Sequence, residues 1–451
     1  MADASVCRDR RITTGGMAAY GLGHFGASAL MEAMLTLLVA FYATHDPDTG
    51  GPYLSIGAAT FAVGVGRFLD AFLDPLVGYW TDRIRTRWGR RAPVLAATLP
   101  PMCLFFALMW LPLTPSPSVA NLLALTASAT LFVMAFTAYM VPYLAWLPDL
   151  ARSVGDRTRA MGWMAFFNVL GVALGSTGAG QLAAVPALGF GGMGLVLAGV
   201  TLATGGVTLA TGLHRLEQAA PERPALPIVP AVRTALANPH FRHYLPSFAL
   251  FWVGLRLLLY SLPFFIMTVF EVPKGQAAAA MGTLMGCAIG VGALLFPVIP
   301  RLAVRYGKAR LYRAGLGLFC LTAPLLPLVG LVGDAGTGLH QAMVLMAVAG
   351  IPTGIMFVIP YTLLADVIDY DEDQTGTRRE ALYFGVQGFF VKVAQLAGLG
   401  LGGLLVGGLG TTSASGPRLA GPMAAVFVAA GLAWFRTYAL QPRDAPTADE
   451  R

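Results

Sequence analysis

Three ionisable residues stand in the middle of an apolar run, residues 54–80: Arg67, Asp70 and Asp74. Their spacing of i, i+3 and i+7 puts all three on one face of a helix. At the centre of a bilayer each costs about 2.5–3.5 kcal/mol, so each needs a partner or a wet cavity. Two carboxylates one turn apart offer the oxygen ligands that a small hard cation such as Na+ prefers. They can equally share a proton, because like charges in a low dielectric resist being ionised together. A structural ion pair with Arg67 or Lys392 is the plainer alternative, but one arginine does not require two acids.

The other ionisable residues at mid-depth are Glu32, Arg256 and Lys392. Lys392 lies about three turns into its run, where it neutralises the carboxylates when no cation is bound or ties two halves of the protein together. Arg256, in Phe251-Trp-Val-Gly-Leu-Arg256, suits a carboxylate on a ligand; snorkelling or a backbone carbonyl would satisfy it too. Glu32, with Ser28 one turn before it, faces a cavity or partners Arg256. Farther on, Asp366, Asp369, Asp371, Glu372 and Asp373 stand beside Arg378 and Arg379 in what reads as a loop, and Arg157 lies in an earlier one. Charge pairs bridging the halves would close an inner gate, and Arg67 is assigned with them. A solvated charged loop is the alternative.

Composition says what must hold these residues. Of 451 residues, 56% are hydrophobic and 12% charged, with a mean hydropathy of +0.67. Soluble proteins carry about 25% charged residues, so a soluble enzyme, a secreted disulfide scaffold and a disordered chain are all excluded. Four cysteines without a CxxC, no HExxH and no histidine cluster leave no zinc site, resident cofactor or enzymatic centre. The first apolar run is too long and too glycine-rich for a cleaved leader.

Polar interruptions divide the chain into twelve apolar runs, at 17–43, 54–80, 92–112, 119–147, 158–180, 189–213, 244–270, 277–300, 311–333, 338–365, 381–409 and 418–438. Each can cross a bilayer, for which about 20 residues suffice. Helix is the expected backbone, since lipid offers no partner for free N–H and C=O groups. Most of the 30 Lys and Arg fall in the even-numbered loops and the two termini, while the loops after runs 1, 3, 5 and 9 hold none. By the positive-inside rule both termini are cytoplasmic. The net charge of +7 is thus a topology signal, and no nucleic-acid partner is needed.

The halves also repeat. Val141-Pro142-Tyr143 with Asp149 recurs about 218 residues later as Ile359-Pro360-Tyr361 with Asp366, and Trp88-Gly89-Arg90 is echoed by Tyr306-Gly307-Lys308. The expected organisation is a cytoplasmic N-terminus (1–16), a six-helix bundle (17–213), a linker (214–243), a second six-helix bundle (244–438) and a cytoplasmic tail (439–451).

These residues also carry a resemblance. Arg67-Phe-Leu-Asp70-Ala-Phe-Leu-Asp74-Pro75 with Gly78, followed by Arg87-Trp-Gly89-Arg-Arg-Ala-Pro93, resembles the second span and following loop of the glycoside–pentoside–hexuronide:cation symporters. So do Ala365-Asp-Val-Ile-Asp-Tyr370, Thr375-Gly-Thr-Arg-Arg-Glu380, Gln387-Gly-Phe-Phe-Val-Lys392 and Tyr20-Gly-Leu-Gly-His-Phe-Gly26. The resemblance, which covers nearly the whole chain, implies an all-α membrane protein of the major facilitator fold with two pseudo-symmetric six-helix halves. It implies alternating-access symport coupled to Na+, Li+ or H+. Asp70 and Asp74 then match the cation-site carboxylates, Thr137 a contributing hydroxyl and Lys392 the lysine of that network. Arg157, Asp366, Asp369 and Arg378 match gate residues.

Where the melibiose-type pattern holds galactoside hydroxyls with an acid in span 4, an acid in span 1 and an arginine in span 5, this chain has Met140, Ser28 and Ala165. Those changes count against a galactoside, since buried hydroxyls left unpaired are costly. Tyr139, Tyr143, Trp146, Phe357, Tyr361 and Gln387, with Ser28, Glu32 and Arg256, would form an aromatic-rich pocket for another sugar, glycoside or uronide. They would also suit a lysolipid or other amphiphile, as in the related vertebrate lysolipid symporters. A receptor or scaffold that has lost transport is the alternative from another class. The expected partners are a small-molecule cargo, a coupling cation and the bilayer, with the protein a monomer. Its 27 Arg to 3 Lys suggest a high-GC bacterium and its cytoplasmic membrane.

Overall fold

The computed structural model describes residues 12–44, 51–82, 84, 86, 88–150, 154–213, 228–270, 272, 274–331, 335–376, 379–408 and 415–438. Among these, a Thr86–Gly89 bridge apart, every regular element is a helix. They are α1 (Thr14–Ala43), α2 (Ile56–Asp82), α3 (Ala92–Leu108), α4 (Val119–Leu150), α5 (Val154–Ala173), α6 (Ala179–Ala183), α7 (Gly189–Ala210), α8 (Ile228–Ala237), α9 (Pro239–Val269), α10 (Lys274–Leu295), α11 (Ile299–Tyr306), α12 (Lys308–Thr322), α13 (Ala335–Thr375), α14 (Glu380–Gly408) and α15 (Ser415–Phe435). Ten helical stretches are long and apolar enough to cross a membrane, and α10 with α11 makes an eleventh bent by 55°. The third run yields a shorter apolar helix of 17 residues.

Several helix ends differ from the apolar runs, each for a local reason. The linker 214–243 contains α8, and α9 starts at Pro239 rather than 244. Asn238 caps it, its Oδ1 accepting from the backbone N–H of His240 at 3.0 Å and Phe241 at 3.3 Å, with proline in the first turn where a missing N–H costs nothing. The eighth run breaks at Phe296-Pro297-Val298, and the ninth ends in a 3-10 turn over Ala323–Leu328, which contains Pro324 and Pro327. Helix α13 continues ten residues beyond the apolar limit at 365. The acidic series from Asp366 to Asp373 is therefore the end of a helix, not a loop.

The chain forms two compact units, Met1–Ala225 with Val272–Gly282, and Leu226–Glu271 with Thr283–Arg451. In the first, α1 packs on α5 and α7, and α2 on α4. Glycines set these distances. A Cβ on Gly26 would lie 2.6 Å from the Cα of Thr201 in α7, and one on Gly21 2.8 Å from the Trp163 carbonyl in α5. With little hydrophobic drive between helices in lipid, such small-residue contacts supply the van der Waals attraction. In the second unit α9 packs on α14 and α15 around a core that includes Phe241, Tyr244, Phe251, Tyr312, Phe319 and Phe435. There Arg418 donates from Nη1 to the carbonyls of Pro327 and Val329, closing the end of the 3-10 turn.

The repeat has a conformational counterpart. Gly89 and Gly307, 218 positions apart, take φ values of 87° and 86°. Both are left-handed turns that a side chain would strain.

Candidate functional site

Helices α2 and α4 build the centre of the first unit's charged site. Asp70 is buried at 1% exposure and Arg67 at 5%. The Arg67 Nη1 donates to Asp70 Oδ2 at 3.0 Å and also lies 3.7 Å from the Met31 sulfur. From α4 the hydroxyl of Thr137, itself buried, donates to the other oxygen, Oδ1. Asp74 follows one turn along the same helix and is half-buried. The structure thus brings Asp70 and Thr137 into contact, with Asp74 next to them in register. Arg67, grouped above with the gate, belongs with the carboxylates by contact.

Asp70 sets a carboxylate against the Arg67 guanidinium with Asp74 one turn on, and a buried charge left uncompensated there would cost several kcal/mol.

The aromatic residues of α4 are placed differently from a cargo wall. Tyr139, Tyr143 and Trp146 are almost wholly buried. Tyr143 stacks on Tyr20 at 4.6 Å and on Tyr139 at 5.8 Å. Its hydroxyl donates to the Tyr20 carbonyl, the Tyr20 hydroxyl donates to the Tyr143 carbonyl at 3.0 Å, and Tyr139 donates to the Gly23 carbonyl at 3.2 Å. These phenols tie α4 to α1, so their donors are engaged in helix packing. The Trp146 Nε1 is buried without a hydrogen-bond partner among the described residues. Beside this stack Ser28 lies between His24 and Asn168, at 2.7 Å from each, and Glu32 sits half-buried one turn on.

In the second unit the aromatics are open. Phe357 and Tyr361 on α13 are 39% and 48% exposed. Phe357 meets Trp252 of α9 edge-on at 5.8 Å, and Tyr361 meets Phe248 at 6.5 Å. The Arg256 guanidinium lies 5.8 Å from the Trp252 ring centre, a cation–π arrangement. Gln387 is buried on α14 with no partner for Oε1 among the described residues, and Lys392 is half-buried farther along it.

A family model described as MFS/sugar transport protein matches residues 19–440. The chain belongs to this family.

It is accordingly a multi-span membrane transporter and not an enzyme. An uncharacterized symporter of Synechocystis is 24% identical over 86% of this chain and 84% of its own length. The isoprimeverose transporter of Lactiplantibacillus pentosus is 23% identical over 90% and 81%. The sodium-dependent lysophosphatidylcholine symporter 1 of Xenopus tropicalis is 25% identical over 74% and 69%. The crystal structure of the nucleoside transporter NupG aligns with a TM-score of 0.62 over 93% of this chain and 99% of that one. At 15% identity that match shows the fold alone, a major-facilitator-like helical architecture.

For a member of the MFS/sugar transport family, the remaining charges sit as follows. Asp366 is paired inside its own unit, to Lys308 Nζ at 2.6 Å, and Asp371 lies 3.9 Å from Arg379. Asp369 is half-buried on the same helix end. Arg378 and the side chain of Arg157 lie outside the described residues. Sequence reasoning passed over His24 and Asn168. The signal for His24 was present, since it precedes Ser28 by four residues and so shares its face of α1. Asn168 offered none, because its contact to Ser28 spans 140 residues of chain.

Proposed function

We propose that this transporter is a cation-coupled symporter working by alternating access, with Asp70, Asp74 and Thr137 holding one Na+, Li+ or H+. The convergence of Thr137 and Arg67 on the two oxygens of buried Asp70, one turn from Asp74, carries this reading. Lys392 belongs to the same network on the strength of the resemblance alone. The cargo is a sugar, glycoside or uronide, as the family description and the isoprimeverose transporter support. A cation that completes the charge balance favours one conformation of the site and raises cargo affinity by linkage, typically by 1–3 kcal/mol. Inward movement of the charge is assisted by about 2.3 kcal/mol per 100 mV of membrane potential.

Ten apolar helices, the bent α10–α11 pair and the shorter α3 support twelve spans. The repeat supports bundles at 17–213 and 244–438, with the linker 214–243 carrying α8 and the first residues of α9. The basic loops support cytoplasmic termini, and the arginine bias a bacterial cytoplasmic membrane. Asp366, Asp369, Arg378 and Arg157 are proposed as gate residues on the resemblance, with the protein a monomer.

A second cargo reading is favoured by a specific observation: the exposed Phe357 and Tyr361, with Trp252 and Arg256 beside Phe357, suit the acyl chain and the phosphate of a lysolipid. Thermal stability of the purified protein separates the two. Ligand at 100 times its Kd stabilises by about 2.7 kcal/mol. The expected result is a shift with isoprimeverose, glycosides or uronides that grows when sodium is added. A shift with lysophosphatidylcholine alone would select the amphiphile. A cargo shift of the same size in sodium, in lithium, at high or low pH and without added cation would contradict coupling.

A further inference from the structure

Helix α10 does not run straight on into α11. At 1.5 Å per residue its 22 residues, Lys274–Leu295, already reach about 33 Å, and the hydrocarbon core of a bilayer is about 30 Å thick. The chain then bends by 55° into the eight residues of α11, Ile299–Tyr306, and turns again at Gly307 into α12. Helix α11 therefore lies obliquely at the membrane surface, at the level of the lipid headgroups.

Its inner face, with Ile299 and Ala303 buried, packs on α12 and α13. Its outer face is mixed: Arg301, Val304, Arg305 and Tyr306 are exposed, Val304 by 89%. The charge here is of one sign. Arg301, Arg305, Lys308, Arg310 and Arg313 fall within thirteen residues, and no Asp or Glu occurs between Glu271 and Asp334. Lys308 is paired with Asp366. The described partners of the arginines are neutral: Arg301 donates to the Pro297 carbonyl at 3.2 Å, Arg313 to that of Ala309 at 3.3 Å, and Arg305 lies over the Tyr306 ring. Such contacts leave most of the five donors of each guanidinium for another acceptor. The exposed Arg310 stands in the first turn of α12, where the helix dipole disfavours a cation and a nearby phosphate would relieve it.

A free anion would answer the arginines but not Val304 and Tyr306 between and beside them. A phospholipid answers both, with a phosphate for the guanidinium groups and an acyl boundary for the apolar side chains. We propose that the α10–α11 elbow and the start of α12 form a docking site for an anionic phospholipid. Arg301 and Arg305, one turn apart, hold its phosphate, Val304 and Tyr306 meet the upper part of its acyl chain, and Arg310 adds to the local positive potential. The site involves neither the Asp70 carboxylate nor the cargo residues, so it stands or falls apart from the symport reading.

The test is photo-crosslinking of the full chain in phosphatidylcholine nanodiscs that contain a photoactivatable phosphatidylglycerol, with the captured peptide identified by mass spectrometry. Capture should map to residues 298–313 and be displaced by unlabelled phosphatidylglycerol, but not by phosphatidylcholine or glycerol phosphate, and it should fall as salt rises. In Arg301→Gln/Arg305→Gln it should drop about fivefold or more, while the charge-matched Arg233→Gln/Arg242→Gln, at two other exposed arginines, stays within about twofold of the wild type. Absence of phosphatidylglycerol-specific capture at 298–313 in the wild-type protein overturns the inference, and that arm needs no variant to fold. Equal capture of a photoactivatable phosphatidylcholine, displacement by glycerol phosphate alone, or equal losses in the two double variants overturns it as well. So do crosslinks between chains at 298–313, which would give this face to a second copy.

Discussion

Asp70→Asn abolishes cation-driven uptake, by about a hundredfold or more, while the protein still inserts and folds. The amide is nearly the same shape as the carboxylate, so the Thr137 hydroxyl can still donate to Oδ1. What changes is charge. With Asp70 neutral, the Arg67 guanidinium loses the carboxylate it pairs with and a cation loses one of its two proposed anionic ligands. Hydrogen bonds to a charged partner contribute about 1.5–3 kcal/mol, so some stability is lost at Arg67. Asp74→Asn should impair coupling in the same way. Uptake is measured in membrane vesicles with an imposed sodium, lithium or proton gradient, and insertion by detergent extraction of the intact protein. Unchanged gradient-driven uptake in both variants would sink the assignment of the coupling site.

The second large effect is structural. Gly171→Leu should prevent recovery of folded protein or lower its melting temperature by more than 10 °C. A Cβ at 171 meets the Phe25 carbonyl and the Ser28 Cβ, and a backbone cannot move aside as a flexible side chain does. Overpacking of a core usually costs about 1–3 kcal/mol, and here the whole side chain must be accommodated between two helices. Gly199→Leu is the matched control, because a Cβ there meets open space. Heating followed by size-exclusion chromatography reads both. Equal melting of Gly171→Leu and the wild type would show that α1 and α5 do not approach as closely as described.

Much of this architecture was legible in the sequence, since membrane burial imposes long apolar runs. Every one of the twelve runs holds helix. Hydropathy ends where the membrane ends, however, and helices need not. The acidic end of α13 lies beyond its apolar stretch, yet the helix runs on to Thr375, with Asp366 paired to Lys308 and Asp371 3.9 Å from Arg379. The start of α9 was written in Asn238-Pro239, a capping signal that a hydropathy reading passes over.

The charged site divides along similar lines. Asp70 and Asp74 stand out because carboxylates in lipid are costly, and their shared face follows from helical periodicity. The contact of Arg67 with Asp70 follows from the same i, i+3 spacing. Thr137 was legible only through the resemblance, since nothing local marks one threonine among many. For the aromatics, residue type alone was a poor guide. Tyr143 and Tyr361 occupy equivalent places in the repeat, yet Tyr143 is buried against the α1 backbone and Tyr361 is exposed. That difference is decided by partners more than a hundred residues away.

Coupling is tested most directly in liposomes reconstituted with the purified protein, by following the cargo identified in the thermal panel under an inward sodium, lithium or proton gradient at a clamped potential. The expected result is accumulation above the external concentration with one of these cations, enhanced by a negative interior and accompanied by one positive charge per cargo molecule. Simple equilibration of the cargo, at the same rate whatever the gradient or the potential, would contradict it.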